Sequence, residues 1–242
     1  MLKKKRFSPL YKKFVRLRKN VQNRKKLLNK FNNKKWLNLV NFLKSSLSSR
    51  RKNFSIYEQF NHSIPKYSNS FKRKFLTNLL TKQKFSLFYG HLNNNEIKNL
   101  VKKSKSLIRV NKTSSSKILL NMLENRLCVI LYRAHFSQSI RGSKLLIQHG
   151  HIKVNNQIVT FSNYLLKNGD VISVEKNSFD LIKNNIYSSN FWPLPPEYLQ
   201  INYKTFQIIL LDNHNTHNTS IFFPFWLDTN NIIDYHNRYV LL

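Results

Sequence analysis

The side chains best placed to do chemistry here are the cations, and the chemistry they suit is neutralising phosphate. Thirty-two of the forty-two Lys and Arg residues lie in the first 120 positions, where Glu58 and Glu96 are the sole acids. That half carries +30, and the remaining 122 residues carry +2. So much like charge opposes compaction unless a polyanion is at hand. Neutralising a phosphate backbone releases its counterions, which makes binding strong and salt-sensitive. Aromatics interleave with the cations: Phe7, Tyr11, Phe14, Phe31, Trp36, Phe42, Phe54 and Tyr57. Such rings can stack on bases, pack on protein neighbours or anchor the fold.

Other chemistry is poorly supported. The single cysteine, Cys128, excludes an internal disulfide and any multi-cysteine zinc site. The histidines are scattered, with no partner cysteine at zinc-ligand spacing. We therefore expect no metal and no cofactor. Beyond position 175 the acids Asp180, Glu197, Asp212, Asp228 and Asp234 stand isolated, with no Gly-rich catalytic string among them. That pattern offers nothing to a small-molecule substrate. No apolar run approaches the roughly 20 residues of a membrane-spanning helix, so no membrane role is expected. The start, MLKKKRF, lacks a secretory core, and its lysines differ from an Arg- and Ser-rich presequence. The abundance of Asn, Lys, Phe and Ile matches A/T-rich codons, as in many organelle genomes.

The elements that position these cations can be read from periodicity. Residues Lys34 to Leu47 have helical spacing at Trp36, Leu37, Leu39, Val40 and Leu43. Residues 61–81 read as a connection, and a helical stretch follows over Leu92–Lys103. From Ile118 the apolar residues recur at intervals of three and four, predicting one helix over 118–133. Ser139 is placed to cap a second helix to His149, with Gly150 as its left-handed stop. HIKV and QIVTF then flank the turn Asn155–Asn156, and the Asn168–Asp170 turn leads into a strand at Val171–Glu175. In the tail, INYKTFQIILL suggests antiparallel strands, and IFFPFWL suits a small sheet core or a protein contact. The fold class is therefore α+β, in three parts. Residues 1–117 form a basic, mainly helical region and 118–176 a compact helix-helix-β module. Residues 177–242 form a β-rich extension returning to the N-terminal region. Balanced charge and a clear apolar pattern predict that the module holds its structure alone.

The string LLNMLENRLCVILYRAHFSQSIRGSKLLIQHGHIKVNNQIVTFSNYLLKNGDVISV resembles the RNA-binding domain named after the fourth small-subunit ribosomal protein. Glu124, Arg126, Leu127, Tyr132, Arg133, Phe136, His149, Ile152, Val154, Asn155, Tyr164, Asp170 and Val171 keep the family's register. Upstream, LTKQKFSLFYG resembles that ribosomal family's Lys-Gln-Lys and Tyr-Gly string through Lys82-Gln83-Lys84 and Tyr89-Gly90. RFSPLYKKFVRLRKN followed by KKW is similar to the start of organelle-encoded members.

The resemblance implies one basic face on a structured rRNA junction, recognised by shape through phosphates and 2′-hydroxyls. Its implied contacts are Arg126, Arg133, Arg141, Lys144, His149, His151 and Lys153. Lys82, Lys84, Tyr89, Arg16 and Arg18 are added by the upstream strings. Two departures stand out. Cys128 replaces a usual Asp, and the usual first Arg of the second helix is shifted by one to Arg141. A one-residue shift rotates a helical side chain by about 100°. Phe136 and Tyr164 could stack on bases, but core packing is preferred.

The leading expectation is a structural component of the small ribosomal subunit. It binds small-subunit rRNA and neighbouring ribosomal proteins, aids assembly, and has no enzymatic activity. A mitochondrial location is preferred to a plastid. The alternatives are an RNA-modifying enzyme of the pseudouridine-synthase kind, or a ribosome-rescue factor, carrying the same domain.

Overall fold

The computed structural model describes residues 11–17, 21, 34–35, 37–41, 70–108, 113–189, 193–211, 221 and 223–239. They fall into two compact units, residues 1–84 with 223–227 and residues 85–222 with 228–242. The module expected at 118–176 thus shares its unit with residues on both sides of it.

In the first unit, α1 spans Tyr11–Leu17 and α2, Phe71–Phe88, begins. Residues 34–35 and 37–41 are helical, inside the expected Lys34–Leu47 helix, whose remainder lies outside the described residues. The connection expected over 61–81 is helical from Phe71 onward, and 61–69 lie outside the described residues. No Pro or Gly interrupts this stretch, so nothing local stops the helix. Thr77 and Thr81 donate their hydroxyls to the carbonyls of Arg73 and Thr77, at 2.9 and 2.8 Å, rather than competing with the backbone.

In the second unit, α3 runs Asn94–Ser106 and buries Ile97, Val101 and Ser104. Its entry is fixed by Glu96, whose carboxylate accepts from the Asn93 N–H at 3.3 Å. The helix expected over 118–133 is two helices, α4 Ser115–Glu124 and α5 Leu127–Arg133. The break is tertiary. Leu127 N–H donates to the Tyr164 carbonyl at 2.9 Å, and the Asn125 carbonyl accepts from Leu166 N–H at 3.0 Å. Helix α6, Ile140–Gln148, begins as expected: Ser139 Oγ accepts from Gly142 N–H at 3.1 Å. Gly150, at φ +76°, provides its left-handed stop.

Strands β1 Ile152–Val154 and β2 Gln157–Ile158 form the expected hairpin. Its turn residues Asn155 and Asn156 both have positive φ, the requirement of a type I′ turn that Asn tolerates. Strand β3, Val171–Val174, pairs antiparallel with β1. A short 3-10 turn at Lys176–Ser178 leads into α7, Phe179–Ser189. Strands β4 Leu199–Asn202 and β5 Gln207–Leu210 follow, then α8, Thr229–Tyr239. The tail is therefore mixed rather than β-rich. Its described 223–227 stretch holds buried Phe223 and Phe225 but is no strand.

The tail completes the module's sheet. Strand order is β2-β1-β3-β5-β4, all antiparallel. One face buries Ile152, Val154, Ile172, Val174, Leu199, Ile208 and Leu210, and the other carries Lys153, Ser173, Gln207 and Asn202. The tail also fixes the α5–α6 connection. Asn185 Nδ2 donates to the Phe136 carbonyl at 3.1 Å, His135 Nε2 lies 2.8 Å from the Pro193 carbonyl, and Phe136 meets Phe206 edge-on.

The shared sheet and connection argue against the module's holding its structure alone. Without the tail, β3 becomes an open edge and Ile172 loses its cross-strand partner Ile208. Residues 118–176 alone are expected to lack cooperative unfolding in circular dichroism and hydrogen exchange, whereas 85–242 retains both. Cooperative melting of the short fragment would show that the tail strands are dispensable.

Candidate nucleic-acid interface

Helices α5 and α6 with their caps, and β1 with the residue before it, carry seven of the twelve expected contacts, and a buried carboxylate fixes how the two helices are held. Glu124 ends α4 and is 1% exposed. Its Oε1 accepts from Tyr89 Oη at 2.6 Å and from Arg133 Nη2 at 2.8 Å. Its Oε2 accepts from Arg133 Nε at 3.0 Å and from Tyr198 Oη at 2.8 Å. The four donors come from the end of α2, from α5 and from the tail. Burial alone would raise the Glu124 pKa, but the Arg133 charge and these hydrogen bonds outweigh it and hold it below the ordinary value. Burial would likewise lower the Arg133 pKa, and Glu124 reverses that. Burial, with the Glu124 charge behind it, pushes the Tyr89 and Tyr198 phenols well up, so they remain donors. A carboxylate so fully engaged holds structure and cannot serve as a base.

Two expected RNA contacts are thereby corrected. Arg133 is 5% exposed, gripped in a bidentate pair and set 5.4 Å from the centroid of the Phe88 ring. Tyr89 is 1% exposed. Both hold the fold together, because a buried guanidinium must find its countercharge inside the protein. Their register in the sequence was legible, but their burial was not.

The remaining candidates divide by exposure. Arg126 is 8% exposed and pairs with Glu96 at 3.4 Å, leaving only a margin at the surface. Lys82 is also buried, and burial lowers its pKa. Lys84 is half-buried, Arg16 is exposed, and Arg18 lies outside the described residues. Arg141 and Lys144 are half-buried on α6, and burial lowers the Arg141 pKa. Lys144 runs beside Gly90, at φ +80°, where an added Cβ would come within 3.3 Å of Lys144 Nζ. The Tyr89-Gly90 string therefore seats the second helix's lysine. His149 is exposed and stacks on His151, with centroids 5.9 Å apart. His151 Nδ1 lies 2.7 Å from Ser178 Oγ, a turn contact. Lys153 pairs with Glu175 at 2.5 Å, about a third exposed. Such a pair is worth at most about 1 kcal/mol, so phosphate can compete for the lysine.

Phe136 is fully buried, as expected, but Tyr164 is 37% exposed and is not a core residue. Exposed cations that motif reading missed include Lys72, Arg73 and Lys74 in the first turn of α2, Lys102 and Lys103 on α3, and Lys117 and Lys167. Their signal lay in helical phase: on α3 the lysines fall between the buried positions. Among the described residues no group of three or more His, Cys, Asp or Glu could hold a metal, and no helix could cross a membrane.

Paired helices, a small antiparallel sheet and a cationic surface without clustered acids among the described residues are the features expected of an RNA-binding module. The S4 domain family matches residues 126–172, from the N-cap of α5 into β3. The small ribosomal subunit protein uS4m of Reclinomonas americana is 36% identical over 190 residues, spanning 74% of this chain and 74% of that protein. The uS4m of Marchantia polymorpha is 35% identical over 147 residues, or 59% of this chain and 71% of its own. The uS4c of Prototheca wickerhamii is 42% identical over 106 residues, or 44% and 49%. The chain belongs to the uS4 family of small ribosomal subunit proteins.

Proposed function

We propose that this chain is a structural component of the mitochondrial small ribosomal subunit and that it binds small-subunit rRNA directly. The observation that carries this is the uS4m similarity over 74% of the chain, together with an excess of +32 that needs a polyanion. Helix α6 and its C-cap offer Arg141, Lys144 and His149 to phosphates, and Lys153 on β1 adds charge beyond it. Recognition is by the shape of a folded junction. The protein acts without catalysis of its own, and neighbouring ribosomal proteins complete its surroundings. No described feature favours the RNA-modifying alternative.

Replacing Arg141, Lys144 and Lys153 with Ala is expected to weaken rRNA binding. The slope of log affinity against log salt should flatten by about one per lost phosphate contact. Thermal unfolding should move little, since surface changes usually cost under about 0.5 kcal/mol each. An unchanged slope would remove these three residues from the interface. Failure of the wild-type chain to bind small-subunit rRNA would overturn the function itself.

A further inference from the structure

The segment between β2 and β3 presents apolar side chains that the fold does not use. Within eight residues, Ile158, Phe161, Tyr164 and Leu165 are 58, 65, 37 and 52% exposed. Single exposed hydrophobes need no explanation, but a cluster marks an interaction surface. Their backbone is held firmly. Tyr164 N–H donates to the Phe161 carbonyl at 3.1 Å, closing a turn whose first and last residues are the two aromatics. In such a turn the end Cα atoms lie within about 7 Å of each other. Bonds from Leu127 N–H to the Tyr164 carbonyl and from Leu166 N–H to the Asn125 carbonyl, with a bridge between Arg126 and Leu165, pin the turn to the start of α5. The rings are thus displayed on a backbone that hydrogen bonds tie to the start of α5.

The electrostatic setting narrows the occupant. In the sequence no acid occurs between Glu124 and Asp170, whereas Arg141, Lys144 and Lys167 fall there, together with Arg126 and Lys153, which pair with Glu96 and Glu175 from outside the stretch. Asp170 itself is occupied, accepting from Asn155 Nδ2 at 2.9 Å and Lys167 N–H at 2.8 Å. A partner here must tolerate dense positive charge and offer flat apolar faces. Unpaired nucleobases do both, because every base has a π-face and brings its own phosphate.

We propose that Phe161 and Tyr164 form a stacking platform for unpaired bases of the bound rRNA, which the cations of α6 hold by its phosphates. This rests on the rRNA reading and adds to it a contact that is not electrostatic. Stacking needs the ring faces and not the phenol, so Phe and Tyr are interchangeable at both positions.

The test uses the full chain and small-subunit rRNA fragments, comparing F161A/Y164A with F161Y/Y164F. The alanine pair is expected to lose about 5- to 150-fold in affinity per stacked base. Its salt slope should match the wild type, since no phosphate contact is removed. The aromatic exchange should bind within about twofold of wild type, a margin well below one stacked base. Wild-type affinity in the alanine pair, or a loss accompanied by a flatter salt slope, would overturn the platform. A benzophenone amino acid at position 161 in assembled subunits gives a second readout that does not depend on the alanine pair folding. A crosslink to rRNA supports the proposal, and one to a ribosomal protein overturns it in favour of a protein contact. Absence of rRNA binding by the wild-type chain would instead sink the rRNA reading, which the variants cannot do.

Discussion

The Glu124→Ala variant is expected to be the most destabilised single substitution in the second unit, losing about 3–5 kcal/mol. The carboxylate is 1% exposed and is the meeting point of Arg133, Tyr89 and Tyr198. Removing it strands a buried guanidinium and two phenols at once, and a group left unpaired in the interior bears its full desolvation penalty. For a chain of this size the melting temperature should fall by roughly 6–20 °C. Glu124→Gln should be nearly as harmful, because it keeps shape but removes the countercharge. Replacing both Glu124 and Arg133 by Met should recover much of the loss, since an apolar pair leaves no uncompensated charge. A small effect of Glu124→Ala in thermal and urea unfolding would show that the network is dispensable. The same site predicts a pH dependence. The folded pKa of Glu124 lies below its unfolded value of about 4.3, so its contribution is complete above that pH. It is lost as the pH falls through the folded value. Acid titration of stability should therefore be shallower in Glu124→Gln than in wild type.

Raising salt from about 50 to 200 mM is expected to weaken rRNA binding by about 10³–10⁵-fold if six to ten phosphates are contacted. Residues 1–84 hold twenty-five Lys and Arg against a single acid, Glu58. A fragment of residues 85–242 retains seventeen cations and nine acids, so its slope should be markedly smaller. Lys72, Arg73 and Lys74 are exposed in the first turn of α2, at the positive end of that helix's dipole. Nothing within the helix favours cations there, and a phosphate would offset the repulsion. Equal slopes in the full chain and the fragment, measured by filter binding or fluorescence anisotropy, would contradict the electrostatic assignment.

The sequence by itself determined the charge division, the α+β module and its local punctuation. The Ser139 cap, the Gly150 stop and the Asn155–Asn156 turn are local devices, set by the φ and hydrogen-bonding preferences of the residues themselves. They were legible without any partner. The tertiary structure alone decided which cations face outward. Arg133 and Arg141 are equally basic in the sequence, but Glu124 lies nine residues before Arg133 and draws it into the interior. Long-range pairing likewise split the helix expected over 118–133. The donors and acceptors that interrupt it, at Tyr164 and Leu166, lie some forty residues away in the chain. The same holds for the sheet, where β5 supplies the edge that β3 needs. Periodicity records which residues are apolar, but the pairing of a buried charge or a strand edge depends on what the fold brings beside it.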